Sequence, residues 1–502
     1  MQNPGSHADR VVALPSVPVG GAGEGAVALR APAGLRARIA LPRVRIVVGP
    51  LPGRIALAAL VLGAVVLVAY ASAGPSVLVP RSDEVFTAWE AGPLHALFQG
   101  LPGSSHALSY GLSVLVITML IAYGTVVLAA PTIPARTAWL VVVALHVILV
   151  MSPPLQLNDV FNYLGYARLG SLHGLGPYTH VIAQEIHDPV YRMATWHHLH
   201  SPYGPLFTAA TYLLPLGSLA LSYWLLKVAT VLASLAFLAI VWRCAVRLGR
   251  DPRTVLLFVA CNPIYLIYAV GGFHNDFFML VPMIGSIALL LGARDGQDAR
   301  RDRLAGAVLM LAVAIKFTAV LLLPFLVLAV WPSRPRARRV LEGAVLATIP
   351  LAALSVALFG FSIPNLQDQS TLLTDFSIPN VVGSVLGIGG GTPALLTLAK
   401  AGVVIAVLVL LWRRRDWISS AGWATLALIA SLAWLMPWYV IWLAPLAALG
   451  SSVRLRRAAV ALTVFVIVTF VPVTSLFLNA HGLSLLNTPA GHVSQSLQHK
   501  LS

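Results

Sequence analysis

Long apolar stretches recur along this chain, and short arginine clusters separate them. A helix that crosses a bilayer needs about 20 apolar residues, because in hydrocarbon its backbone N–H and C=O groups must be satisfied within the helix itself. Of the 502 residues, 58% are hydrophobic and only 10% are charged, whereas a soluble domain carries about 25% charged residues. The chain reads as an all-α polytopic membrane protein with about 12–14 transmembrane helices, counting short or re-entrant ones.

The net charge of +16 would suit a nucleic-acid binder if it were gathered on one surface. It is instead parcelled into arginine groups between apolar runs, which is the pattern that fixes orientation in membranes. No nucleic-acid partner is expected. Cys244 and Cys261 lie in or beside apolar runs and form neither a disulfide framework nor a zinc spacing.

Residues 1–50 are rich in Ala, Gly, Pro, Val and Arg and lack a compact apolar run followed by a small-residue cleavage site. They read as a disordered, basic cytoplasmic tail. A multi-span membrane domain is expected over 51–480, and a C-terminal tail over 481–502. Spans are expected near Ile55–Ala73, Tyr110–Ala130, Ala138–Leu155, Leu221–Arg243, Val255–Val270, Phe277–Gly292, Leu341–Phe361, Leu395–Trp412 and Ala458–Leu478. Arg247, Arg250 and Arg253 mark one inside loop; Arg294, Arg300, Arg301 and Arg303 mark the next. The loop holding Asp83, Glu84 and Glu90 is then outside.

Two segments, Leu304–Trp331 and Ile418–Gly450, have basic clusters on both sides, so each should cross twice. Each is too short for two full spans and reads as a hairpin of short helices. Lys316 falls at the tip of the first, MPWYVIW at the tip of the second. Pro205–Ser218 would invert every later loop if it crossed, so it reads as a re-entrant or surface helix.

This topology puts the loop 156–205 on the outer face. It also brings Asp159, Glu185, Asp188, His274, Asp276, Lys316, Asp368, Asp375, Trp438 and Tyr439 toward that face. Asp159 opens the loop at the mouth of a span, after Asn158. A carboxylate there can accept a proton from an attacking hydroxyl, hold a divalent cation, or simply cap the helix that follows. Tyr163, Tyr166 and Arg168 follow at roughly helical spacing. They make an interfacial aromatic belt with a snorkelling arginine, or a wall with a cation for a phosphate. GLGPYTH and HSPYGPL are Pro/Gly turns that carry Tyr178 and Tyr203. In GGFHND, His274 and Asp276 could share a metal, bind a pair of sugar hydroxyls or cap the next span; Gly271 and Gly272 would let backbone approach a ligand closely. Lys316 in an apolar run must pair, snorkel or reach a phosphate. Trp434, Trp438, Tyr439 and Trp442 are either interface anchors or packing for a sugar or lipid.

Taken in order, these motifs resemble one known family. Asp159-Val160-Phe161 with Tyr163, then Gly174 with Pro177-Tyr178-Thr179, then Trp196 and Ser201–Pro205, resemble the polyprenol-phosphomannose-dependent α-(1→6)-mannopyranosyltransferases, membrane glycosyltransferases of the GT-C class. Gly271, Gly272, His274, Asn275 and Asp276 are similar to the family's Gly-Gly-X-His-Asn-Asp turn. Lys316 with Pro324, and Pro437-Trp438-Tyr439, extend the likeness, which runs from about residue 155 to 445. Asn162 before Tyr163 and Gly176 before Pro177 depart from the family pattern.

The resemblance implies a GT-C-like fold and transfer of mannose from a polyprenyl-phosphate donor to a mannan or lipid-anchored glycan outside the cytoplasm. It implies Asp159 as the catalytic carboxylate, with Arg168 and Lys316 on the departing phosphate and a lateral groove for the lipid. Substrate contacts are expected from Tyr163, Tyr178, Trp196, Tyr203, His274, Asn275, Asp276, Trp438 and Tyr439. A divalent cation is the one cofactor left open. Two other readings stand beside it. A GT-C enzyme using another lipid-linked sugar would share these motifs. A multi-span lipid or sugar transporter should instead show inverted repeats and helices broken at mid-membrane.

Overall fold

A computed structural model describes residues 48–79, 85–101, 103–157, 159–293 and 298–502, the side chain of residue 368 excepted. The tail before residue 48, Asp83, Glu84, Asn158 and Arg294 lie outside the described residues. All regular structure among the described residues is helical, as the apolar periodicity requires.

The helices start where the sequence supplies a cap or a proline. α1 (Pro50–Ala73) opens on Pro50. α2 (Ser105–Ala129) follows Ser104, whose hydroxyl accepts from Ala107 N–H. α3 (Ala135–Val150) leads to the outer loop, which begins with α4 (Asp159–Ser171). Next comes α5 (Pro205–Thr211), with a turn at Leu214–Leu216. Seven residues cannot cross a bilayer, so the parity of later loops is preserved. α6 (Leu219–Arg247) is capped by Ser218 and is long enough to span.

α7 (Pro252–Ala260) breaks at Pro263 and continues, bent by 55°, into a wide π-helical turn at Ile264–Val270. Asn262 makes the break tolerable: its carbonyl accepts from Ile264 N–H at 2.9 Å and its amide donates to Thr463 at 3.0 Å. α8 (Asp276–Gly292), α9 (Ala299–Ile315) and α10 (Leu323–Val330) follow, with Lys316 between α9 and α10. α11 (Arg334–Phe359) and α12 (Pro393–Arg413) are long apolar spans. Leu398, Val404, Leu408 and Trp412 on α12 are exposed, a surface that lipid would cover. α13 (Trp417–Ser431) and α14 (Val440–Leu449) flank Pro437–Tyr439. The chain closes with α15 (Val453–Phe470), α16 (Pro472–Ala480) at a 54° bend, and α17 (Pro489–Leu501).

Five helices are long and apolar enough to span, two bent pairs pass the same test, and six shorter apolar helices accompany them. The short ones stop early because polar or proline residues end them: α8 starts at Asp276, α9 stops before Lys316, and Pro437 separates α13 from α14. Both expected hairpins are present, broken at Lys316 and at the MPWY turn. Their far ends carry the arginines. Arg247 and Arg301 bond carbonyls at the end of α8, Arg336 pairs with Asp302 on α9, and Arg456 bonds the Gly450 carbonyl below α14. One end of these helices is cationic and the other holds a cavity. Within the C-terminal segment 481–502, α17 lies against the loop 156–205, with His198 N–H donating to the Leu501 carbonyl at 2.9 Å.

Two glycines set the closest helix crossing. A Cβ on Gly306 of α9 would strike the Val340 carbonyl of α11, and one on Gly343 would strike the Arg303 carbonyl. Without Cβ atoms the backbones approach and gain dispersion contacts that lipid would otherwise provide. Gly306→Leu is expected to destabilise the membrane domain by about 3 kcal/mol, the upper end for overpacking, because backbone is the obstruction. The midpoint of thermal unfolding in detergent measures this; an unchanged midpoint would mean the crossing is not tight.

Candidate active site

The broken helices meet around a cavity of about 90 Å³. Ten of the twelve residues singled out from sequence line it: Asp159, Tyr163, Trp196, Tyr203, His274, Asn275, Asp276, Lys316, Trp438 and Tyr439. They come from the start of α4, the outer loop, the turn before α8, the break after α9 and the turn before α14.

Asp159 stands in the first turn of α4, where the helix dipole favours negative charge. Burial nevertheless outweighs this and pushes its carboxyl up to about 6. The positive charge of Lys316 and the amide of Asn162 pull it down, and the nearby Asp276 adds to the rise. Asn162 does more than touch Asp159 at 3.5 Å: its carbonyl accepts from Thr195 and Trp196 N–H at 3.0 and 3.1 Å, and its amide donates to Thr195 at 2.9 Å. One fully buried amide thus fixes the carboxylate and the Trp196 wall together.

His274 is buried and lies flat against Trp438, with ring centroids 3.7 Å apart and planes 17° apart. Its Nδ1 is 3.6 Å from Asp159 Oδ2 and 3.5 Å from the Tyr163 hydroxyl. Burial drives its pKa down to about 3; Asp276 raises it and Lys316 lowers it further. The ring is therefore neutral near pH 7, and its contact with Asp159 is polar rather than an ion pair. Burial also pushes the Tyr163 hydroxyl well above its ordinary value, so it stays protonated.

Lys316 donates to Asp276 Oδ1 at 2.7 Å, and Trp442 Nε1 donates to the same oxygen at 2.5 Å. The ammonium lies over the Trp442 and Tyr439 rings, 5.0 and 5.5 Å from their centroids. Asp276 is fully buried, while Lys316 keeps 22% of its side chain exposed toward the cavity. Asp276 Oδ2, His274 Nε2 and Asn275 Nδ2 are buried without a hydrogen-bond partner, which is unusual enough to mark a place for a polar ligand.

Two of the expected residues stand away from the cavity. Arg168 does not line it. It bonds Asp188 at 2.8 and 3.0 Å, and His173 joins Asp188 at 2.8 Å and Glu185 at 3.3 Å. Burial raises the Asp188 carboxyl, but these bonds win and hold it below its ordinary range. The cluster fastens the loop 156–205 to α4. Tyr178 also points away, donating to the Tyr203 carbonyl at 2.9 Å and Thr208 at 3.0 Å. The Gly-Gly pair has a local purpose: a Cβ on Gly271 would meet Leu155 and the Ile267 carbonyl, and one on Gly272 would meet the His274 ring. Glycine here lets the turn fold on itself, with Phe273 at φ 53°.

Asn162, Tyr166, Gln369, Trp434, Met436 and Trp442 complete the site. Of these, Trp434 and Trp442 belong to an aromatic cluster visible in the sequence, and Tyr166 to the helical aromatic spacing after Asp159. Gln369 has no signal there. Among the described residues no group of three or more His, Cys, Asp or Glu side chains is placed to hold a metal ion. A narrow cleft of about 20 Å³ lies between Met279, Met283, Leu322, Leu428 and Trp442.

These features define a class: an all-helical, polytopic membrane protein with a polar cavity where its broken helices meet. A family model described as "Alpha-(1->6)-mannopyranosyltransferase, N-terminal domain" matches residues 59–332, and the MptB C-terminal domain matches residues 371–489. The chain belongs to the α-(1→6)-mannopyranosyltransferase family. It is 30% identical to alpha-(1->6)-mannopyranosyltransferase A of Mycobacterium tuberculosis, over 64% of this chain and 67% of that protein. A probable alpha-(1->6)-mannopyranosyltransferase of Mycolicibacterium smegmatis is 27% identical over 63% and 66%. Alpha-(1->6)-mannopyranosyltransferase B of Corynebacterium glutamicum is 22% identical over 62% and 59%. The chain thus spans about two thirds of the length of the mycobacterial relatives. No solved structure matches it.

Removing Lys316 leaves a buried carboxylate without its cation. Lys316→Met is expected to destabilise the protein by about 3 kcal/mol, and adding Asp276→Leu to recover most of that loss. Thermal unfolding of the single and double variants in detergent checks it; equal midpoints for wild type and Lys316→Met would mean the pair contributes nothing.

Proposed function

We propose that this protein transfers mannose from a polyprenyl-phosphate donor to a glycan or lipoglycan acceptor at the extracytoplasmic face, forming an α-(1→6) link. The observation that carries the reading is the Asp159 carboxylate, raised to about 6 in a partly enclosed cavity that also holds the Lys316 ammonium and aromatic walls. A base must be ionised to accept a proton, and it works best when its pKa is near the working pH. Burial brings Asp159 toward that range without leaving it protonated at neutral pH.

In this reading the acceptor's 6-hydroxyl approaches Asp159, which takes its proton as oxygen attacks the anomeric carbon of mannose. The bond from that carbon to the donor phosphate breaks, and the phosphate leaves with the electron pair. Attack opposite a β-linked phosphate gives an α product. Lys316 offsets the charge that grows on the departing oxygen, and Asp276 with Trp442 holds Lys316 in place. His274, neutral and clamped by Trp438, offers hydrogen bonds to sugar hydroxyls without adding charge beside the developing positive charge at the anomeric carbon. The arginine-bearing helix ends opposite the cavity support an outward-facing site.

A transporter is less well served by this arrangement. The polar groups gather at one end of the short helices and converge on one carboxylate, as a reaction centre requires.

Asp159→Asn is expected to lower transfer of labelled mannose about 100- to 10,000-fold in membranes with equal expression. In the wild type, kcat/KM should fall about tenfold per pH unit below about 6 as Asp159 is protonated. Transfer that survives in Asp159→Asn would remove Asp159 from the chemistry. In this reading Lys316 supplies the positive charge at the phosphate, and transfer is expected to continue in EDTA; activity lost in EDTA and restored by a divalent cation would assign that charge to a metal instead.

A further inference from the structure

A second chamber, about 570 Å³, adjoins the Asp159 cavity and is not used by the chemistry described above. The two share Leu157, Trp196, Trp434 and Met436 as walls. Trp196 and Trp434 meet edge to face there, with ring centroids 6.1 Å apart. The rest of the chamber mixes aromatic faces with hydroxyl and amide groups: Tyr268 and Phe470 on one hand, Gln156, Thr374 and Gln498 on the other. Its lining holds no Asp, Glu, Lys or Arg side chain; His197 and Ser502 complete it. Aromatic faces that cover apolar sugar C–H surfaces, with neutral amides and hydroxyls for the hydroxyl groups, make a lining suited to a neutral carbohydrate. A phosphate would find no cation in it.

One wall is supplied by α17. Gln498 is exposed on that helix and faces the chamber. The helix is held against the outer loop at several points. Leu497 and Leu501 pack with Leu199, Leu372, Trp196 and Trp434. Ser494 accepts from Leu373 N–H at 2.7 Å, and His197 Nδ1 lies 2.7 Å from the Ser502 carbonyl oxygen. At the opposite wall Gln156 takes a left-handed backbone, φ 67°, which costs a non-glycine residue energy. Its N–H bonds the Leu78 carbonyl at 2.8 Å and its amide nitrogen bonds the Val77 carbonyl at 3.1 Å. The side chain is therefore fixed by that amide nitrogen, leaving its carbonyl oxygen as the group that can accept from a ligand.

We propose that this chamber holds the acceptor glycan, with Gln498 of α17 and Gln156 as the residues that recognise its neutral sugar units. The chain of sugars lies in the chamber and presents its terminal residue to Asp159 past the paired Trp196 and Trp434 rings. This rests on the reading of the protein as a mannosyltransferase and adds to it a recognition element contributed by the last helix.

The test uses the full chain in detergent, polyprenyl-phosphate-mannose as donor and α-(1→6)-mannotriose as acceptor. Gln498→Ala and Gln156→Ala are each expected to raise the acceptor KM about five- to tenfold, the loss of one neutral hydrogen bond, with the donor KM unchanged. Gln495→Ala, exposed on the same helix and outside the chamber, should leave both unchanged. A raised donor KM with an unchanged acceptor KM would assign the chamber to the donor and overturn the proposal, as would no change in either. If the wild type transfers no mannose to any such acceptor, the functional reading fails, and tryptophan fluorescence then decides on the chamber. Quenching by mannotriose that weakens in Gln498→Ala supports a glycan site; no quenching in the wild type overturns it.

Discussion

The ion pair between Lys316 and Asp276 is the constraint on which the site depends. A lysine in an apolar run and a fully buried carboxylate are each costly alone, and in low dielectric neither is tolerated without the other. Their meeting fixes where α9 must stop and where α8 must start. Trp442 adds a third anchor from α14. Three broken helices are thus tied at one depth, and the irregular backbone at each break lines a cavity, which is where a membrane protein can accommodate it.

The carboxylate that faces this pair is placed by a different mechanism. Asp159 is carried by a short helix whose position comes from Asn162 and from the loop it grips. The loop is fastened in turn by Arg168, His173, Glu185 and Asp188 on its outer side and by α17 beyond it. The site therefore has a floor made of membrane helices and a roof made of loop. Charge in the floor is paired, and the charge that faces the cavity is the Asp159 carboxylate with the exposed edge of Lys316. That asymmetry leaves one acid free to exchange a proton.

Much of this was legible from residue order, for reasons that separate cleanly. The broken hairpins at Lys316 and at MPWYVIW could be read because basic clusters on both sides force an even number of crossings. The convergence of Asp159, His274 and Lys316 followed from that parity. Arg168 could not be read in the same way. Its partner, Asp188, lies 20 residues further along a loop whose closure no periodicity encodes, and an arginine near a membrane surface serves a phosphate or a carboxylate equally well. Gly271 and Gly272 were legible as positions of close approach but not as to what approaches, which proved to be Leu155 and the His274 ring. α17 has little apolar content, so its packing rests on Leu497 and Leu501 and on hydrogen bonds at Ser494, Leu501 and Ser502, none of which a periodicity announces.

The same contrast bears on how specificity is divided in such a protein. Groups that handle charge have to be set by rigid elements, since a displacement of 1 Å in a buried pair loses both its Coulomb energy and its hydrogen bonds. They sit on helix ends here. Groups that distinguish one neutral glycan from another act through single hydrogen bonds and aromatic faces, each worth far less. They can reside on the loop and on α17, where substitutions leave the membrane core undisturbed. A chain built this way can change its acceptor by altering the roof while keeping the floor, and the Asp159 cavity, as they are.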